Sequence, residues 1–349
     1  MEKRRHAHLS LYDSIFHSFE SFSRISHGQI VLQAGIVLTV TVYFGEDLAR
    51  YGFGEGHPFG PDRLYAFWEE TVKQKLDHEI NIATPVACSE QDLLRFHSME
   101  YVERVKSLSQ SGKGYLDQGD TPAFPGIFEA ASFVVGSDLD GLEKIISGET
   151  PRVFVPIAGL HHGRRDGAAG FCALNDCGVL IETLRAKFGI KRVAYVDIDA
   201  HHGDGVFYAF EADPDVIFAD MHEDGRFLYP GTGFANETGT GKAVGTKLNI
   251  PMAPGSGDAA FHREWPKVEE FLRAAKPEII LLQAGADSIK NDPITHMEYT
   301  PAAHGYAAQS LCRLADEFCQ GRIIVMGGGG YNRTNLALGW NEVLKSLLN

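Results

Sequence analysis

Along the chain from residue 39 onward, short apolar runs alternate with longer stretches whose apolar positions recur every three or four residues. The runs at 40–44, 152–156, 192–196, 216–219, 278–283 and 322–326 are too short for helices and read as strands. Helical spacing fills 63–75, 90–107, 126–135, 178–188, 259–275 and 302–319. Such alternation predicts a parallel sheet covered by helices on both sides. The expected fold class is α/β, a three-layer α/β/α arrangement around a mostly parallel central sheet. No Pro/Ser-rich linker or internal repeat divides the stretch 39–349, so it reads as a single domain.

Residues 1–38 differ in character. Leu9, Tyr12, Ile15, Phe16, Phe19 and Phe22 fall at helical spacing, with Asp13, Ser14, His17, Ser18 and Glu20 between them. The spacing predicts an amphipathic helix in an N-terminal extension. Packing on its own domain or an oligomer contact accounts for such a helix, a membrane-surface role fits less well, and an appended segment without function is a further alternative.

The chemistry-bearing residues follow the predicted strands, where ligands of open α/β sheets sit. After 152–156 comes Ala158-Gly-Leu-His161-His162-Gly163, and after 192–196 comes Asp197-Ile-Asp199-Ala-His201-His-Gly-Asp204. After 278–283 comes Ala284-Gly-Ala-Asp287, and after 322–326 come four glycines and Tyr331. Side chains two apart on a strand share a face, which groups Asp197, Asp199 and His201. Two acids and an imidazole crowded together repel and desolvate one another unless a cation sits among them. Asp199, His201 and Asp287 supply the three protein ligands of an open catalytic zinc site. His161 and His162 then read as acid/base groups, with Asp197 and Asp204 as the carboxylates that fix their tautomers. Alone, a His-His pair in a loop is more simply a hydrogen-bonded turn. Tyr331 is either a phenol donating to a developing oxyanion or an aromatic plug behind a glycine turn. The glycines do not form a dinucleotide loop, because G-x-G-x-x-G with a following acid is missing.

Composition narrows the partners. The 349-residue chain carries a net charge of -14, and no long run of basic residues offers a phosphate-binding patch. Direct nucleic-acid binding is not expected, whereas a cationic substrate suits the acidic exterior. Five cysteines without a C-x-x-C pair fit reduced thiols and a cytoplasmic location. The longest apolar stretch, 30–44, is interrupted by Gln33, Thr39 and Thr41 and falls short of a membrane span.

Taken together the motifs resemble the zinc-dependent histone deacetylase family, with its acetylpolyamine amidohydrolase and acetoin-utilisation relatives. The matching text is Gly56-His-Pro58, Pro61-Asp-Arg63, Gly159 to Gly163, Gly170-Phe-Cys172 with Asn175-Asp176, and Tyr195 through Gly205. It continues in Tyr229-Pro-Gly-Thr-Gly233, Gly285-Ala-Asp287, Asp292-Pro293 and Gly327 to Asn332. The resemblance covers roughly residue 40 to the end and implies an arginase/deacetylase-like fold. It makes Asp199, His201 and Asp287 the ligands of one Zn2+, His162 with Asp204 the general base, and His161 with Asp197 its electrostatic or acid neighbour. Tyr331 matches the oxyanion-stabilising tyrosine, Phe171 and Tyr229 the aromatics flanking an acyl-lysine tunnel that Gly170 adjoins, and Asp120 the rim aspartate. A structural K+ is also implied, near the Asp197, Asp199 and His201 carbonyls and Asp220. Gly163 stands where many relatives have Ala, and Leu160 before the His pair is similar to the class I and acetoin-utilisation branch. The activity implied is deacylation of lysine in proteins or peptides, with acylated polyamines or small acylated amines as alternatives and an inert acyl-lysine-binding scaffold as the non-enzymatic one. A two-manganese ureohydrolase fits less well, because Gly203 and Ile289 stand where further bridging aspartates are needed.

Overall fold

A computed structural model describes residues 40–349, so the predicted N-terminal helix lies outside the described residues. Eight strands form one sheet: β1 (Val40–Tyr43), β2 (Asn81–Ala83), β3 (Arg152–Val155), β4 (Val193–Asp197), β5 (Val216–Glu223), β6 (Lys247–Met252), β7 (Ile279–Gln283) and β8 (Ile323–Met326). Their order is β2-β1-β3-β8-β7-β4-β5-β6, and every adjacent pair is parallel. The side chains of β1, β3, β4, β5, β7 and β8 are buried throughout, as strands covered on both faces require.

All six predicted strands are present. The two that the apolar pattern did not reveal, β2 and β6, are the sheet edges. Their sequences, Asn-Ile-Ala and Lys-Leu-Asn-Ile-Pro-Met, carry polar residues and a proline, which edges tolerate and central strands do not. The helical stretch 90–107 is in fact two helices, Glu90–Leu93 and Met99–Ser111, each started by a serine cap at Ser89 and Ser98. The helix expected at 126–135 runs on to Ser147, because Gly136 and Gly141 dilute its pattern without ending it. A further helix, Arg333–Leu348, is capped by the Asn332 side chain and was not anticipated. Among the described residues no helix is long and apolar enough to cross a membrane.

The strand order decides where chemistry can happen. β3, β8, β7 and β4 lie side by side, so the loops leaving their carboxyl ends share one rim. Two buried side chains brace that rim. Trp340 donates its indole N–H to the Ala284 and Gly327 carbonyls, at 3.1 and 3.0 Å, which ties the exits of β7 and β8 together. Arg63, fully buried, donates from Nε to the Gly330 carbonyl at 2.9 Å and from Nη2 to that of Gly328. Its guanidinium also lies 3.9 Å from the centre of the Phe59 ring.

Replacing Arg63 removes charged donors from two buried carbonyls of the glycine loop. Arg63→Leu should therefore destabilise the protein by about 2–4 kcal/mol. A drop in the urea midpoint at unchanged slope is the expected reading; an unchanged midpoint contradicts the bracing role.

Candidate active site

Asp199 and His201 leave β4, and Asp287 leaves β7, yet their side chains meet. His201 Nδ1 stands 3.1 Å from Asp199 Oδ1 and 3.0 Å from Asp287 Oδ2. All three residues are buried, and one ligand atom of each lies within 4.8 Å of the others. A single ring nitrogen has one proton or one lone pair and cannot satisfy two carboxylates. The outward-facing oxygens are already committed. Asp199 Oδ2 accepts from Gln283 Nε2 and from the Gly329 amide, both at 2.8 Å, while Asp287 Oδ1 accepts from the Ala200 amide at 2.8 Å. What converges is therefore two carboxylate oxygens and an imidazole nitrogen, a donor set that fits a divalent cation. Burial, with the Asp199 charge beside it, pushes the Asp287 carboxyl up to about 7, a cost that a bound cation would offset. The loop from β8 can come this close only as glycine, because a Cβ on Gly329 would stand 2.3 Å from Asp287 Oδ2.

Next to this group runs a chain of two histidine–aspartate pairs. His161 Nδ1 is 2.8 Å from Asp197 Oδ2, and His162 Nδ1 is 2.6 Å from Asp204 Oδ1. The two Nε2 atoms face each other at 3.1 Å. The Tyr195 hydroxyl donates to Asp197 Oδ2 at 2.7 Å. Burial, reinforced by the neighbouring His161, lowers His162 to about 4, so its ring is neutral near pH 7. Burial alone would raise Asp204, but the hydrogen bond to His162 holds it below the usual carboxylate range. Tyr331 is pushed well up, first by burial and then by the Asp287 and Asp199 charges, so its phenol keeps its proton. Its amide donates to Asp292 Oδ2 at 2.8 Å, which fixes the turn that delivers the ring.

Above these groups opens a cavity of about 270 Å3. Of the residues singled out from the sequence, Asp120, His161, His162, Gly170, Phe171, Asp199, His201, Tyr229 and Tyr331 line it. Asp197, Asp204 and Asp287 stand behind, holding the histidines or facing the triad. Gly170 lies flat against His162, where a Cβ would meet the ring at 2.3 Å. Phe171 adopts a φ of 67°, held by its carbonyl accepting from Tyr51 Oη at 2.7 Å and its amide donating to Thr121 Oγ1 at 3.1 Å. Its ring and that of Tyr331 pack edge to face at 5.9 Å, and Tyr229 meets the His162 ring at 5.2 Å. Asp220 pairs in register with Asp197 across β4 and β5, and its oxygens accept from the Gly203 amide at 2.9 Å and meet His222 Nδ1 at 2.6 Å.

Several participants escaped the sequence reading. Gln283 orients Asp199, and its signal was a polar residue closing the apolar run Ile-Ile-Leu-Leu-Gln. Phe59, Leu228 and Ile294 complete the cavity wall from loops, where no periodicity marks them. Thr121 and Tyr51 act through backbone contacts that no local pattern announces.

Comparison with known proteins follows the same lines. The histone deacetylase domain model matches residues 57–347. The acetoin utilization protein AcuC of Bacillus subtilis (strain 168) is 36% identical over 291 residues, covering 81% of this chain and 75% of that protein. The AcuC protein of Staphylococcus aureus (strain MSSA476) is 32% identical over 314 residues, covering 87% and 80%. Among solved structures, the crystal structure of the HDA15 HD domain superposes with a TM-score of 0.82 at 29% identity, covering 89% of each chain. The parallel eight-stranded sheet is accordingly of the arginase/deacetylase-like type. The chain belongs to the histone deacetylase family, on its bacterial acetoin-utilisation side, and is a deacetylase, a hydrolase.

Proposed function

We propose that the protein is a zinc-dependent amidohydrolase that removes acetyl or other acyl groups from the side-chain amine of lysine in proteins or peptides. The observation that carries this reading is the arrangement of the triad Asp199, His201 and Asp287 beside two histidines at the foot of an aromatic-walled cavity. A Zn2+ held by the triad supplies Lewis acidity for the amide carbonyl and for an attacking water.

The remaining steps belong to the chain's own side chains. His162, neutral and anchored at Nδ1 by Asp204, takes the water's proton at Nε2. The Tyr331 hydroxyl donates a hydrogen bond to the oxygen that gains charge as the carbonyl becomes tetrahedral. A protonated histidine of the His161–His162 pair then delivers a proton to the leaving amine. Phe171 and Tyr229 flank the uncharged acyl-lysine stem, Gly170 gives it room, and Asp120 holds the substrate backbone at the mouth. An apolar passage of this kind admits the neutral amide more readily than the charged product amine.

Three outcomes test the assignment. Chelation should abolish acetate release from an acetyl-lysine peptide, and added Zn2+ should restore it; full turnover by metal-free protein, measured with metal content, refutes the role of the triad. Tyr331→Phe and His162→Ala should each lower kcat by roughly 100-fold or more, as loss of an oxyanion donor or a base does. Near-normal rates in both variants would refute the two roles. The third concerns pH. Asp204 raises the basicity of His162, so Asp204→Asn should lower the plateau of kcat/KM and move its acidic limb to lower pH. A limb that moves upward, or not at all, contradicts the pairing as the source of the base.

A further inference from the structure

Beside the catalytic cavity lies a second, wider depression that shares Asp120 and Tyr229 with the mouth. It measures about 720 Å3 and is lined by Arg104, Arg164 and Asp117 around a floor of small residues, Gly167 to Ala169. Its charges are two arginines and two aspartates, unevenly committed; Asp120, on the wall shared with the mouth, has the Thr121 hydroxyl near its carboxylate, at 3.3 Å. Asp117 is consumed by its own loop, accepting from the amides of Gly119, Asp120 and Thr121 at 3.0, 3.1 and 3.0 Å and from the Thr121 hydroxyl. Arg104, exposed on helix Met99–Ser111, makes no ion pair among the described residues. Arg164 makes a loose ion pair at 3.8 Å with Asp204 Oδ2, whose other oxygen meets His162, and its side chain stays 62% exposed. The neighbouring Arg165 shows the contrast, paired with Glu182 at 2.7 Å.

Two guanidinium groups thus stand in the groove beside the catalytic mouth, Arg104 without an ion pair among the described residues and Arg164 held only loosely by Asp204. Arginine at such a position suits a carboxylate, which its planar fork can grip with two hydrogen bonds. We propose that this groove receives an acidic side chain of the polypeptide that carries the acyl-lysine, so that Arg104 and Arg164 select acyl-lysines with Asp or Glu beside them. The proposal rests on the lysine-deacylase reading and adds the substrate class. An extended chain advances about 3.3 Å per residue, so a residue one or two positions from the lysine falls within reach of a groove sharing Asp120 and Tyr229 with the mouth. Acylated polyamines, whose remaining amines are cationic, gain nothing from these arginines.

The test uses the full-length zinc-loaded protein and four substrates: one acetyl-lysine peptide with Glu, Ala or Lys on both sides of the acetyl-lysine, and a capped acetyl-lysine without neighbours. Exposed ion pairs each contribute about two- to fivefold, so kcat/KM should favour the Glu over the Lys peptide by roughly tenfold at low salt, less at high salt. Arg104→Glu and Arg164→Glu should each shrink that ratio, and the double variant should invert it. Using the ratio cancels any general loss of activity in the variants. Equal values for the Glu and Lys peptides, a preference for Lys, or a ratio untouched by Arg104→Glu would overturn the groove assignment while leaving the deacylase reading intact. No hydrolysis of any substrate, the capped acetyl-lysine included, would overturn both.

Discussion

One buried constraint organises the protein: two carboxylates and an imidazole from different strand ends meet where water is scarce. Like charges in a desolvated site repel: His161, His201 and Gln283 hold Asp199 well below the usual carboxylate range, yet burial and the Asp199 charge still push Asp287 up to about 7. A cation relieves that repulsion. Much of the surrounding architecture makes sense as support for this meeting. The order β3-β8-β7-β4 brings the four loops together, Trp340 joins two of them, and Arg63 fixes the glycine loop through its carbonyls. Gly329 then brings the backbone against both carboxylates, a contact no larger residue permits.

The parts of the fold legible in the sequence were those with a single dominant physical signal. Strands buried on both faces appear as unbroken apolar runs, so all six central and near-central strands could be read directly. Edge strands lack that signal, because β2 and β6 answer to solvent on one side and need no continuous apolar sequence. The helix Arg333–Leu348 left a weaker trace because Asn335, Gly339 and Asn341 interrupt its apolar pattern, although Trp340 within it anchors the glycine loop. Helix ends shifted where a cap outweighed the apolar period, as at Ser98 and Asn175.

The site was legible for a related reason. Asp, His and Tyr beyond the ends of apolar strands are conspicuous, and the i, i+2 spacing of Asp197, Asp199 and His201 gives a geometric meaning to their order. The spacing was nevertheless too simple in one respect. Asp197 does not join Asp199 and His201 but turns to His161 and Tyr195, while Asp287 arrives from β7 to complete the group. Residues that act by shape or through the backbone, such as Gln283, Thr121 and Leu228, left almost no trace, because their roles exist only once distant loops are assembled.

A single cause, the withdrawal of these groups from water, sets three different protonation preferences at the foot of the cavity. It makes His162 neutral and therefore able to accept a proton, keeps Tyr331 protonated and therefore able to donate, and raises Asp287, which increases the gain from binding a cation. His162 and Tyr331 thereby stand in the states that the proposed hydrolysis uses, without a separate device to tune them. The same burial explains why the charged selectivity determinants sit outside. Arginines placed among these groups would compete with the cation for Asp199 and Asp287, whereas in the groove that shares Asp120 and Tyr229 with the mouth they face an approaching chain. Depth thus divides the labour: the dry interior fixes proton positions, and the wet rim sorts substrates by charge.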